Sequence, residues 1–195
     1  YSDIDALLVY ILESAMRLVE CESSSLLLVN QVDGNLRFAV ALGPKGREAK
    51  NVPVDKKSIA GWVAEHNQHL IINNVLEDSR FYDEVQAKTG YVTKTMMAVP
   101  LCIKEKVIGV VELINKANDR IFNNDDLEVL QMLCSQAAIA YENATIYQSA
   151  KERISALQDN LSTGTDYHPF IAKSPAIIDL MKVIEKKKKT NSSVL

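Results

Sequence analysis

One carboxyl is out of place in this sequence. Glu112 sits in VIGVVELINK, a stretch otherwise built of apolar residues. Strand alternation would put it on one face with Ile108, Val110 and Ile114. A carboxyl there must be hydrogen-bonded or reach water. It serves either as a core-edge acid satisfied by backbone or a lysine, or as a contact for a bound molecule. The other reactive side chains assemble no catalytic set. The serines Ser23 to Ser25 have no histidine near them in sequence, so no nucleophile–base pair is motivated. His66 and His69 straddle a helix end and read as surface residues rather than metal ligands, and His168 stands apart. Cys21, Cys102 and Cys134 are isolated, which favours reduced thiols in a cytoplasm over disulfides. The glycines never fall as GxGxxG or GxxxxGK[ST], and GxSxG, HExxH and CxxC are absent. No metal is expected, and the chain does not read as an enzyme.

The totals bound the rest. A length of 195 residues holds one good domain and an appendage. A net charge of −3 gives none of the basic footprint of a nucleic-acid binder. No apolar run approaches the roughly 20 residues of a membrane span. The opening Tyr1-Ser2-Asp3 lacks the basic stretch of a signal peptide and is not Met, so the chain reads as a cytoplasmic piece of a longer protein.

The element that must position Glu112 is the hairpin Thr95–Lys116. Its strands are Thr95–Ile103 and Val107–Asn115, joined by the charged Lys104-Glu105-Lys106. In the first strand Met97, Val99 and Leu101 point one way, and Met96, Ala98 and Cys102 the other. Neither set is polar, and strands apolar on both faces are covered on both. The hairpin is thus the middle of three layers. Pro100 lacks an N–H and demands a bulge or a one-sided partner, while Gly109 admits close packing.

Around the hairpin the sequence predicts a helix at Asp3–Glu20 capped by Ser2 or Asp3, and strands at Ser24–Asn30 and Leu36–Leu42. A loop Gly43–Lys57 precedes a short helix capped by Ser58. A strand His69–Val75 and a short segment Glu77–Thr89, closed by Gly90, follow. The last helix, Asp125–Leu161, would run about 55 Å. Its apolar residues fall three and four apart, with a phase skip between Ala144 and Ala150. This order is α+β around a mostly antiparallel sheet.

Ser58-Ile59-Ala60-Gly61-Trp62-Val63, Asp78-Ser79-Arg80-Phe81, Thr89-Gly90, Ala98-Val99-Pro100-Leu101, Ile108-Gly109-Val110 and Asn115-Lys116 occur in the order and spacing of GAF domains. Residues 1–161 resemble that family. The resemblance implies a GAF-like three-layer α/β/α fold with a central six-stranded antiparallel sheet. It implies a small-molecule pocket between the sheet and the segments Ser58–Asn67 and Asn74–Thr95, near Phe38, Ile59, Asn74, Phe81, Tyr82, Thr95, Met97 and Glu112. Cyclic-nucleotide-binding GAF domains carry Asn-Lys, a gap, then Phe, three residues and Asp-Glu. Asn115, Lys116, Phe122 and Asp126 match, but Leu127 stands where Glu belongs. The same pattern has a purely structural use, a Lys116–Asp126 pair pinning the last strand to the long helix. The effector stays open: a cyclic nucleotide, a 2-oxo acid, another small metabolite or a redox ligand.

The tail, Phe170-Ile171-Ala172-Lys173-Ser174-Pro175-Ala176 and onward to Ser192-Ser193-Val194-Leu195, is similar to the opening of the AAA+ ATPase domain of bacterial sigma-54-dependent transcription activators. This implies a linker at 162–172 and the truncated start of that domain at 173–195, ending short of its phosphate-binding loop. Sigma-54 RNA polymerase and DNA would be reached only through further domains. The expected function is a small-molecule-sensing regulatory domain of such an activator. The alternatives are a dimerisation scaffold with a vestigial, side-chain-filled pocket, or a cyclic-nucleotide-binding domain. A homodimer through the terminal helices is expected. Past Tyr147 nothing in the sequence is available to cover Ile154, Leu157 and Leu161, and a lone amphipathic helix is marginal in water.

Overall fold

Leu8, Leu12, Ala15 and Val19 recur at helical spacing, and all four are buried on one side of the first helix, α1 (Asp3–Val19). Glu20 follows with φ +57°, and the chain turns at once into a strand. The computed structural model describes residues 3–81 and 83–163. Ser2, Tyr82, the linker at 162–172 beyond Thr163 and the ATPase-like segment at 173–195 lie outside those residues.

The elements after α1 are β1 (Cys21–Val29), β2 (Leu36–Leu42), α2 (Gly46–Ala49), α3 (Ile59–His66), β3 (Leu70–Ile72), α4 (Glu84–Thr89), β4 (Met96–Ile103), β5 (Lys106–Lys116) and α5 (Asn124–Thr163). Among the described residues the sheet has five antiparallel strands in the order β2-β1-β5-β4-β3, one fewer than expected. The expected strand His69–Val75 pairs only at Leu70–Ile72, because Val75–Glu77 closes into a 3₁₀ turn. The segment expected as the loop Gly43–Lys57 contains the one-turn helix α2.

The hairpin β4–β5 is central, and its loop is the two residues Lys104-Glu105 between the pair Ile103 and Lys106. Pro100 pairs with Val110 on one side only, because β3 ends its pairing at Ala98. A Cβ on Gly109 would lie 2.4 Å from the Leu27 carbonyl oxygen, so the close neighbour is the β1 backbone. Between the pairs Leu101–Gly109 and Cys102–Val107 the register slips, leaving Ile108 as an extra residue. That bulge turns Ile108 to the face opposite Val110, contrary to the simple alternation expected.

One face of the sheet, with Leu26, Met97, Val99, Leu101 and Leu113, packs under α1 and the start of α5 around the buried Phe122 and Leu130. The other face, with Leu27, Met96, Ala98 and Val110, packs under α3 around Ile59, Val63 and Val75. The chain divides into two units, residues 1–146 and 147–195. The phase skip expected near Ala144–Ala150 does not interrupt α5, which stays helical from Asn124 to Thr163. In the second unit Tyr147, Ile154 and Leu157 are exposed.

Candidate functional site

A cavity of about 90 Å³ lies between the sheet face of Met96 and the short helices. Its floor is Ser25 and Leu27 of β1, Met96 of β4, and Glu112 and Ile114 of β5. Its cover comes from α2, Pro53 and Val54, Ile59 and Ala60 of α3, Val85 and Gln86 of α4, and Tyr91 and Thr93 after Gly90.

The sequence builds the cover from two helix boundaries. Ser58 caps α3, its Oγ accepting from the Gly61 N–H at 3.2 Å. Gly61 has room for no side chain, since a Cβ would sit 2.1 Å from the Lys56 carbonyl oxygen. The α3 axis is thereby held close, which seats Ile59 and Ala60 on the cavity. Gly90 ends α4 with φ +70°. The extended residues after it are clasped from both sides. Gln86 Oε1 accepts from the Thr93 N–H at 3.0 Å, and Asn115 Oδ1 accepts from the Lys94 N–H at 2.8 Å.

Glu112 is buried, 7% exposed, between Ser25 of β1 and Ala98 of β4. The Ser25 hydroxyl donates to Glu112 Oε2 at 2.6 Å. No lysine or arginine pairs with it among the described residues. Burial pushes its carboxyl above the usual carboxylate range, and the Ser25 hydrogen bond only partly opposes this. Whenever it is protonated, a carboxyl so placed offers one donor and remaining acceptor capacity to whatever enters the cavity. Its neighbours are hydroxyl-bearing Ser23, Ser58 and Thr93 and the apolar Phe38, Ile59 and Phe81.

The structure brings Phe38, Ile59, Phe81 and Glu112 together on the cavity, as expected. It does not bring Met97, Thr95 or Asn74 there. Met97 is fully buried on the opposite sheet face under the terminal helices, and Met96 holds the cavity position instead. Both faces of β4 are apolar, so residue type does not distinguish them. Thr95 is buried outside the cavity lining, and its Oγ1 accepts from the Lys116 N–H at 3.0 Å. Asn74 is exposed at the start of the 3₁₀ turn, with no capping hydrogen bond. Tyr82 lies outside the described residues. Gln86, Tyr91 and Thr93 come from the expected segment Asn74–Thr95 without having been singled out, and Ser23 and Ser25 are cavity residues not anticipated. The serine run in an otherwise apolar strand was a usable signal, since buried hydroxyls require partners.

The second set, Asn115, Lys116, Phe122 and Asp126, forms a node outside the cavity. Lys116 Nζ donates to the Val19 carbonyl at 2.6 Å and to Asp126 Oδ1 at 2.5 Å, with the Lys116 side chain buried and that of Asp126 partly buried. It also lies 5.9 Å from the Phe122 ring centroid. Asp126 Oδ2 accepts from the Asn123 N–H while Asn123 Oδ1 accepts from the Asp126 N–H, a reciprocal cap on α5. The expected Lys116–Asp126 pair is therefore formed.

None of the three cysteines lines the cavity. Burial pushes the Cys21 and Cys134 thiols up to about 12, so neither is a ready nucleophile. Among the described residues no group of His, Cys, Asp and Glu could hold a metal ion, and no helix is long and apolar enough to cross a membrane.

The family model described as GAF domain matches residues 2–142. Among curated proteins, a probable 3',5'-cyclic phosphodiesterase of Caenorhabditis elegans is 32% identical over 158 residues, 76% of this chain and 22% of that protein. A dual 3',5'-cyclic-AMP and -GMP phosphodiesterase of Takifugu rubripes is 37% identical over 98 residues, 49% of this chain and 11% of that protein. The chain thus spans about a fifth or less of the length of these relatives. Among solved structures, the GAF domain of a phosphoenolpyruvate-protein phosphotransferase from Coxiella burnetii superposes with a TM-score of 0.68 at 10% identity, covering 76% of this chain and 88% of that one. The corresponding Acinetobacter domain gives 0.65 at 16% identity, covering 76% and 87%. At these identities the two structures speak for the fold alone.

Proposed function

The chain belongs to the GAF domain family of small-molecule-sensing regulatory modules, and from that premise we propose that its effector occupies the cavity over Glu112 and is a purine cyclic nucleotide. The observation that carries this reading is the buried carboxyl on the cavity floor, hydrogen-bonded only by Ser25 among the described residues. A protonated carboxyl donates and accepts side by side, which suits the adjacent acceptor and donor on the edge of a purine ring. Phe38, Ile59 and Phe81 supply apolar faces for the ring. The cyclic phosphodiesterases among the relatives, and the match at Asn115, Lys116, Phe122 and Asp126, support the same class. The Ser25 and Glu112 side chains on the floor and the free volume, well above the ~15 Å³ one water needs, speak against a vestigial pocket filled by side chains.

The cavity is smaller than the roughly 300 Å³ at which ligand pockets begin. Uptake therefore displaces part of the cover, and that displacement is the signal. An effector shifts the module only by binding one arrangement more tightly than the other. The module is not itself an enzyme in this reading. Its output is the sigma-54-dependent activator to which Phe170–Leu195 is similar, and it works as a homodimer. The exposed Met132, Ile139 and Ile146, seven residues apart on α5, support that last point.

Calorimetric titration with cyclic GMP and cyclic AMP tests the effector class, with fluorescence of Trp62 on α3 as a second readout. One site per chain with a Kd of about 1 μM or tighter is expected. Silence in both readouts up to about 1 mM of each nucleotide overturns the assignment.

A further inference from the structure

Asn115 and Lys116 are consecutive, yet each ties down a different part of the molecule. Asn115 holds the cavity cover: its Nδ2 donates to the Val92 carbonyl at 2.9 Å, to Tyr91 Oη at 3.1 Å and to Glu22 Oε2 at 3.1 Å. The Tyr91 hydroxyl in turn donates to Glu22 at 2.8 Å. Burial pushes that phenol up to about 12, so it remains a donor. Tyr91 and Thr93 of this segment line the cavity. Lys116 holds the helices: it joins the last carbonyl of α1, at Val19, to Asp126 in the first turn of α5. The backbone repeats the division only in part, since the Lys116 N–H donates to Thr95 Oγ1. The Asn115 N–H donates to the Thr95 carbonyl, and the Ala117 N–H donates to Glu20.

Asn115 has φ +56°, left-handed in a residue that is not glycine. That conformation breaks the strand's alternation and lets neighbouring side chains serve the cover and the helix ends. Every polar atom of the Asn115 side chain is committed, and the Lys116 ammonium is buried. A shift of Tyr91 and Val92 therefore cannot be absorbed at Asn115 alone. From this geometry we infer that Asn115-Lys116 is the junction through which the cavity cover and the ends of α1 and α5 move together, with Asn115 as the positioning residue. As regulation of the effector site it rests on the function proposed above, but the coupling is a property of the empty protein.

A double-mutant cycle on the full chain measures it without ligand. Tyr91→Phe loosens the cover, Asp126→Asn weakens the helix end, and unfolding constants are read from denaturant titrations. Sites that do not communicate combine to within about twofold. The junction requires a departure of more than about threefold, and its collapse to within about twofold in an Asn115→Gly background, where glycine keeps the left-handed backbone but drops the clasp. Additivity with Asn115 present, or non-additivity that survives its replacement, overturns the proposal. Hydrogen–deuterium exchange on the single variant Tyr91→Phe guards against a double variant that fails to fold. Amides at 17–20 and 123–127 should exchange at least about threefold faster than in the parent, beyond the twofold scatter of uncoupled sites. Unchanged rates there also overturn it. Neither measurement contains a nucleotide, so a failure to bind cyclic GMP or cyclic AMP bears on the effector class alone.

Discussion

Glu112→Gln separates a buried neutral acid from an ordinary surface carboxylate. Glutamine has the same shape and still accepts from the Ser25 hydroxyl that lies 2.6 Å from Glu112 Oε2. What it removes is titration. The Glu112 pKa is raised above its ordinary value of 4.5 by desolvation. Below 4.5 both folded and unfolded chains are protonated, and the group adds no pH dependence. As the pH rises past that point the unfolded chain releases its proton first while the folded chain keeps it. Folded protein then binds one proton more than unfolded, and stability falls by about 1.4 kcal/mol per pH unit. The fall ends at the folded pKa, above which both states are ionised. The paired carboxylates titrate elsewhere: the Arg80 hydrogen bond holds Asp78 below its ordinary range, so its contribution is lost only under more acid conditions. Denaturant unfolding of the parent and of Glu112→Gln, at pH values from about 4 to about 8, gives a difference curve in which all shared groups cancel. The parent should lose ground to the variant at about 1.4 kcal/mol per unit from pH 4.5 upward, then run parallel. Curves parallel throughout would mean that the carboxyl is solvated, and the argument for a donor on the cavity floor would fall with it.

Replacing Lys116 with Met strands Asp126 in a partly buried place and should cost about 3 kcal/mol in denaturant unfolding; a loss under about 1 kcal/mol would give the pair only the weight of a surface ion pair. Gly61→Ala drives a methyl to 2.1 Å from the Lys56 carbonyl oxygen, so α3 must lift and stability should drop by about 1–3 kcal/mol or more, read from the thermal midpoint. Met97→Ala should cost about 2–5 kcal/mol yet leave the affinity for a bound cyclic nucleotide unchanged, because its side chain is buried on the far face of the sheet. Sedimentation of the chain beside a version ending at Gln148 tests the dimer expected from the exposed apolar stripe of α5. A monomer at about 50 μM in both would sink it, since a Kd weaker than that supports no stable pair.

Where the chemistry of single residues dictated geometry, the sequence was enough. Pro100 cannot donate, and it pairs on one side only. Ser58 can cap, and α3 begins after it. Lys116 and Asp126 carry opposite charges at the two ends of one connection, and they meet. The middle layer was legible because β4 and β5 are apolar on both faces, and only coverage on both sides accounts for that. The same double apolarity hid which face carries the cavity. Met96 and Met97 are indistinguishable as residue types, and the choice between them depends on whether helices pack down to leave only about 10 Å³, as α1 and α5 do, or leave a larger gap, as α2 to α4 do. Two bulges, at Ala39 of β2 opposite Leu26/Leu27 and at Ile108 of β5, reset the alternation, so counting by twos along those strands stops assigning faces there. The left-handed Asn115 does the same at the end of β5. Local preference decides which segments become strands and helices. The cavity is the space left between layers, and that residue of packing is a property of the whole domain, carried by no segment of the chain alone.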